Sequence, residues 1–321
     1  MKNVLFISPS FFDYYIEIKK KIEETYSCNV YWFEDRPSQN FLSKAIIRIN
    51  KKLLFLKNNK YFKKIKKFAV EKNIDTVFVI FGQFLSKKYV LELKKALPNA
   101  KFIYYVWDSL KNYKVIKEIY DLFDERFSFD PDDCKEYNFR FLPLFYEKNE
   151  IATSNIKYDA VSIFTVKPGK LSNYEMVLEK LPKSINMFSF LYIQSKLVYI
   201  FYKLFHRKEF KKYKMKDFKY KKMSKDEFYE YIRQSKCVID CQMTNQKGLT
   251  MRTFEALGFH KKLITSNDNI CDYDFYNSNN IIVCTKDEKV PIDFIESEFD
   301  YSHSIGDEFS LDSFVKKIFE Q

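Results

Sequence analysis

Glycine and histidine are both scarce, at 5 and 3 in 321 residues. The first strand–helix junction carries no Gly-rich dinucleotide fingerprint. The six cysteines (Cys28, Cys134, Cys237, Cys241, Cys271 and Cys284) form no C-x-x-C pair. With so few histidines, no zinc site is expected. Cys237 and Cys241 stand at the two ends of one predicted strand, too far apart for a relaxed disulfide. Reduced, buried thiols in a cytosolic protein are the economical reading. No run reaches about 18 uncharged apolar residues, so no spanning helix is expected. The N-terminal stretch lacks the apolar core and small-residue cleavage site of a signal peptide.

What is present is abundant apolar and basic side chain. Hydrophobic residues make up 46% of the chain, which excludes global disorder, and the length suits two domains. The net charge of +12 implies an anionic partner: nucleic acid, an anionic membrane surface or a phosphorylated substrate. No nucleic-acid-binding motif is found, and no nucleic-acid partner is expected.

Strand and helix patterns alternate along the chain. Val4-Leu5-Phe6-Ile7 reads as a strand, 14–24 as a helix and Asn29-Val30-Tyr31-Trp32-Phe33 as a second strand. Residues 41–70 read as one or two amphipathic helices with a lysine-rich face. Residues 75–82 form a near-continuous apolar run of the parallel-sheet type. Strands at 101–107 and 126–130 alternate with helices at 85–97 and 115–123, and residues 139–144 close the pattern. Beyond a polar linker at 147–156 the alternation restarts, with a strand at 160–165 and helices at 171–181 and 226–234. Strands at 237–241, 262–265 and 280–283 follow, then a helix at 310–319. Two doubly wound α/β domains are expected, spanning 1–150 and 151–321, with the last helix able to pack back on the first domain.

Residues 237–283 hold the most informative stretch. A polar loop runs to Gly248-Leu249-Thr250-Met251-Arg252-Thr253-Phe254-Glu255-Ala256-Leu257-Gly258. Thr250 is a good N-cap, Met251, Phe254 and Leu257 repeat at helical spacing, and Gly258 is expected to close the helix. Unpaired N–H groups and the dipole at that helix start favour an anion, and Arg252 adds a donor fork suited to phosphate. Glu255, three residues on, falls on the same face and would suit sugar hydroxyls. The competing reading is an ordinary surface helix with an intrahelical Arg–Glu pair.

Two such domains point to the GT-B architecture: two Rossmann-like units facing a cleft. Residues 102–112, Phe127-Ser128-Phe129-Asp130, Pro143-Leu144-Phe145-Tyr146, 248–258, 261–265 and 273–277 resemble bacterial capsular-polysaccharide and lipopolysaccharide-core glycosyltransferases. The resemblance implies transfer of a sugar from a nucleoside-diphosphate sugar, a substrate and not a cofactor, to a surface-polysaccharide or lipid-linked acceptor. It places the donor on Gly248, Leu249, Thr250, Arg252, Thr253 and Glu255, with Asn267 and Tyr276 nearby. Thr165 and Lys167 belong to the loop after the first strand of the second domain. There the glycine-rich, Arg-containing loop of the family is replaced by Phe164-Thr165-Val166-Lys167-Pro168-Gly169-Lys170, so Lys167 or Lys170 would supply the cation. No glutamate follows Glu255 at the spacing of the retaining enzymes' E-x7-E pattern, so the stereochemistry stays open. Phosphate charge is expected to be neutralised by Arg252, the helix N-terminus and Lys167 without a metal.

In an inverting transfer a carboxylate or a histidine deprotonates the acceptor hydroxyl. Asp108, at a predicted strand terminus, is the first candidate, ahead of Asp13 and Asp130; His260 is read as structural. In 206–225 roughly half the residues are Lys or Arg, interleaved with Phe210, Tyr213, Phe218 and Tyr220. This stretch is a solvated helix or loop, or a contact with the anionic inner face of the cell membrane, making the protein cytoplasmic and peripheral. The alternative function is a non-catalytic GT-B-like module that binds polysaccharide machinery or anionic membrane. An RNA-binding protein is a third reading.

Overall fold

The computed structural model describes residues 1–10, 13–36, 51–112, 118–148, 155–243, 246–284 and 288–320. Contacts divide the chain into two units, Met1–Pro143 with Phe314–Gln321, and Leu144–Ser313.

The first unit holds β1 (Asn3–Ser8), β2 (Asn29–Glu34), β3 (Thr76–Ile80), β4 (Lys101–Val106), β5 (Glu125–Ser128) and β6 (Arg140–Phe141). They form one sheet in the order β2-β1-β3-β4-β5-β6. Every neighbouring pair runs parallel. The central strands are apolar throughout because helices cover both faces of such a sheet; Val4, Leu5, Phe6 and Ile7 are all fully buried. The helices are α1 (Tyr14–Tyr26), α2 (Lys51–Glu71), α3 (Lys87–Ala96) and α4 (Pro131–Tyr137). α1 buries Tyr14, Ile18 and Ile22, spaced four apart. Ser86 caps α3 by accepting the Tyr89 N–H at 3.2 Å. The basic amphipathic pattern at 41–50 and the helix start at 115 lie outside the described residues; a short 3₁₀ turn, Tyr120–Leu122, stands in the remainder of the latter.

The second unit holds β7 (Tyr158–Thr165), β8 (Met187–Tyr192), β9 (Ser235–Asp240), β10 (Lys262–Thr265) and β11 (Ile281–Val283), all parallel, in the order β11-β10-β9-β7-β8. Its helices are α5 (Lys170–Lys180), α6 (Lys196–Phe205), α7 (Arg207–Phe210), α8 (Lys225–Arg233), α9 (Met251–Gly258), α10 (Ile292–Glu296) and α11 (Leu311–Phe319). In both sheets the second strand lies outside the first, and the remaining strands follow on the other side. The strand order therefore reverses direction between β1 and β3, and again between β7 and β9. Such switch points open a crevice beyond the carboxyl ends of the strands.

Residues 189–205 read in the sequence as an aromatic and apolar stretch interrupted by Gln194, Lys196 and Lys203. The structure resolves them into the end of β8 and the whole of α6, whose hydroxyl cap is Ser195. α11 begins in the second unit and ends in the first, where Phe314 meets Tyr105 edge-on at 4.9 Å and Phe319 meets Phe78 at 5.4 Å.

Gly258 has a different role from the one expected. It is the last residue of α9, and the left-handed backbone beyond the helix belongs to His260, with φ 51°. What requires glycine is space: a Cβ at 258 would lie 2.6–2.8 Å from the Cδ2, Cγ and Cβ atoms of Tyr146. The cysteines are all free, but not all buried, since Cys271 is exposed.

Asp133 in α4 is fully buried, and its Oδ2 accepts the Leu110 N–H at 2.8 Å while Oδ1 has no hydrogen-bond partner. Burial, the largest cause, pushes this carboxyl up to about 6. A raised carboxylate pKa gives stability that is present below about pH 4 and lost as pH rises through about 6. Between those limits the wild type is expected to lose about 2 kcal/mol from this group. Asp133→Asn removes that slope. Urea melts of both chains at the two pH values check it.

Candidate functional site of the second unit

The switch-point crevice between β7 and β9 gathers the chemistry of this unit. β9 ends on Asp240, whose buried carboxylate is shared by two hydroxyls of α9. Thr250 Oγ1 donates to Asp240 Oδ2 at 2.7 Å and Thr253 Oγ1 at 2.9 Å. Thr250 Oγ1 in turn accepts the Arg252 N–H at 3.1 Å. The N-cap expected from sequence is thus present, and Asp240 fixes its rotamer. Asp240 was not picked out from sequence. Its signal was an acid ending an apolar strand, with two threonines one turn apart at the next helix start.

Arg252 and Glu255 pair within α9, Nη1 to Oε2 at 2.6 Å. The intrahelical pair of the competing reading therefore forms, but not on a surface: the side chains are 11% and 2% exposed. The guanidinium also lies over the ring of Phe228 of α8, 3.6 Å from its centroid. Beside this pair, Lys225 bridges to Glu147 at 2.7 Å. Burial, then the Glu255 and Glu147 charges, holds the Tyr229 hydroxyl well above the usual phenol range.

The end of β7 and the loop beyond it deliver Thr165 and Lys167, both half-buried, and then Lys170 at the start of α5. Gly169 makes this turn with φ 83°, and its N–H donates to Glu209 at 2.8 Å. Lys170 packs its ammonium over the Phe164 ring at 5.1 Å, and no ion pair ties it to an acid among the described residues. Burial pushes that ammonium below the usual lysine range; Asp240 pulls it back up, and Arg252 and Lys167 push it further down. Asp240, Arg252 and Lys167 thus lie within electrostatic reach of Lys170.

The remaining expected donor residues divide. Gly248 and Leu249 are buried in the loop before α9, and the Gln246 side chain donates to the Gly248 carbonyl at 3.0 Å. The Asn267 carboxamide is committed inside the protein: Nδ2 donates to the Lys247 carbonyl at 3.1 Å and Oδ1 accepts from the Asn269 N–H at 3.1 Å. Asn267 thereby braces the backbone at Lys247. Tyr276 is half-buried in the segment between β10 and β11.

The three carboxylates expected as bases all belong to the first unit. Asp108 follows β4 and is half-buried. Asp130 is 1% exposed and caps α4, accepting the Asp132 N–H at 2.9 Å. Asp13 is exposed, in a left-handed conformation at the start of α1.

Two D-x-D spacings bear on metal independence, Asp130-Pro131-Asp132 and Asp272-Tyr273-Asp274. In the first, Asp130 is spent on its cap and Asp132 pairs with Lys111 at 2.6 Å. In the second, both aspartates are exposed. Among the described residues no group of three or more His, Cys, Asp or Glu could hold a metal ion. Nor is any described helix long and apolar enough to cross a membrane.

No protein-family model matches the chain. No curated protein matches it either. Among solved structures, Anabaena HepE in complex with UDP-glucose superposes with a TM-score of 0.59 at 11% identity, over 100% of this chain and 99% of that one. OtsA without ligand gives 0.60 at 12% identity, over 99% and 96%. The Methanocaldococcus jannaschii UDP-GlcNAc 2-epimerase, in complex with UDP-GlcNAc and UDP, gives 0.53 at 12% identity over the full length of both chains. With its two parallel, doubly wound units, the chain has the GT-B fold.

Proposed function

We propose that the protein is a glycosyltransferase that binds a nucleoside-diphosphate sugar in its second unit and passes the sugar to a glycan or lipid-linked acceptor. The observation that carries this is Lys170, a half-buried cation over the Phe164 ring beyond β7, within electrostatic reach of Asp240, Arg252 and Lys167. A half-buried ammonium among other cations is costly alone and is relieved by a bound diphosphate. Structures of the same fold hold UDP, UDP-glucose or UDP-GlcNAc, which makes uridine diphosphates the first donors to test. Transfer is proposed to need no metal, the phosphate charge being met by Lys170, Arg252, Lys167 and the helix N-terminus. Asp108 is the proposed base, because Asp130 is already committed to a helix cap.

Lys170→Met separates this reading from a structural one. The free variant is expected to melt at or near the wild-type temperature, since a half-buried charge that makes no ion pair among the described residues is replaced by an apolar chain of similar length. Its response to nucleotide should collapse. At 100 times the dissociation constant, UDP or UDP-glucose stabilises the wild type by about 2.7 kcal/mol. A response equal in both chains sinks the proposal.

The second reading is a non-catalytic module of the same fold. It is favoured by the pairing of Arg252 with Glu255, which occupies both side chains proposed to meet the donor. Binding of UDP-glucose without hydrolysis or transfer would decide for it.

A further inference from the structure

α6 shows the solvent an apolar face. Leu197, Ile200, Phe201, Leu204 and Phe205 are 60%, 43%, 41%, 62% and 69% exposed. Their spacing of three, one, three and one places them on one arc of about 140°. The opposite side is anchored: Tyr199 is buried and its hydroxyl donates to the Tyr213 carbonyl at 3.0 Å. Lys203 donates to the carbonyls of Phe210, Lys211 and Tyr213, which ties the helix to the segment that follows. That segment is fastened in turn by buried Phe210 and Phe218 and by Lys219, whose N–H donates to the Leu191 carbonyl of edge strand β8 at 2.9 Å. The exposed face is therefore held out on a braced scaffold.

The charge around it has one sign. Between residues 196 and 222 the sequence holds eleven Lys or Arg and two acids. Both acids are engaged, Glu209 with the Gly169 N–H and Asp217 with the Lys214 N–H. Lys196, Arg207, Lys208, Lys211, Lys214 and Lys216 are exposed.

We infer that α6 and the basic segment after it form a docking surface for an anionic lipid bilayer, with α6 lying in the interface plane. Aliphatic and aromatic side chains enter the acyl boundary while the ring of lysines meets the headgroups. Single-stranded RNA would use the cations and stack bases on aromatic rings, but Leu197, Ile200 and Leu204 offer it nothing to stack on. Both the apolar arc and the one-sign charge are used only by a bilayer. The inference does not rest on the donor site.

The test is flotation with vesicles of phosphatidylcholine alone, and of equal parts phosphatidylcholine and phosphatidylglycerol. The wild type is expected to float with the anionic vesicles only, and less so as salt rises. Leu204→Ser/Phe205→Ser should keep the wild-type melting temperature, both side chains being exposed, and bind the anionic vesicles at least about tenfold more weakly. Lys208→Glu/Lys211→Glu should weaken binding too, and abolish its salt dependence in part. Wild-type flotation left unchanged by the serine pair overturns the inference. So does a wild type that ignores vesicles but self-associates through α6, or that binds a polyanionic RNA equally well with and without the serine pair.

Discussion

Arg252→Ala is expected to lower folding stability by about 3–5 kcal/mol, the cost of leaving a buried charge without its partner. The stranded group is Glu255, 2% exposed and bonded to the guanidinium at 2.6 Å. The variant also loses the cation packed 3.6 Å from the Phe228 ring. Adding Glu255→Gln should return most of the loss, because a neutral amide tolerates the site. Denaturant melts of the wild type, both single variants and the pair close a double-mutant cycle. A loss under about 1 kcal/mol for Arg252→Ala would mean that the pair behaves like an exposed one and does not organise α9. In the proposed complex a diphosphate would share the guanidinium with Glu255 and would not meet a bare cation.

Gly258→Val is expected to destabilise by an amount at or above the top of the overpacking range of about 1–3 kcal/mol. Propensity alone argues the other way, since a helical glycine costs about 1 kcal/mol relative to alanine. Sterics decide, because the first added carbon already meets Tyr146 at 2.6 Å. The atoms it meets are the base of the ring, which cannot swing aside as a flexible tip would. Tyr146 is held by its own backbone, with its N–H on the Phe309 carbonyl at 2.9 Å and its carbonyl receiving the Leu311 N–H at 2.8 Å. Gly258→Ala should lose less than valine, and Tyr146→Ala should make either substitution nearly free of further cost. If Gly258→Ala stabilises the wild type, helix propensity has won and the contact is soft.

The alternation of strands and helices was legible because each central strand is apolar along its whole length and each helix keeps its own period. Residues 189–205 were less legible: α6 keeps a helical spacing, but its apolar arc of Leu197, Ile200, Phe201, Leu204 and Phe205 faces solvent, where the pattern alone would place it in the core. Amphipathic patterning reports that a helix has an apolar face, and not whether that face is buried. At α9 the cap residue and the Arg–Glu spacing were readable, since both are local. The partner that fixes them, Asp240, lies ten residues before Thr250 in sequence and belongs to a strand. The glycine at 258 was visible as a helix end, while its reason, a tyrosine over a hundred residues away, was not.

The path of α11 has a consequence for synthesis. The first unit is made first, yet part of its interior is supplied by Phe314 and Phe319. Domains usually close in the order in which they leave the ribosome. Here Tyr105 and Phe78 wait for their partners until the whole of the second unit has been translated. The nascent first unit therefore carries an open aromatic seam until the last helix arrives.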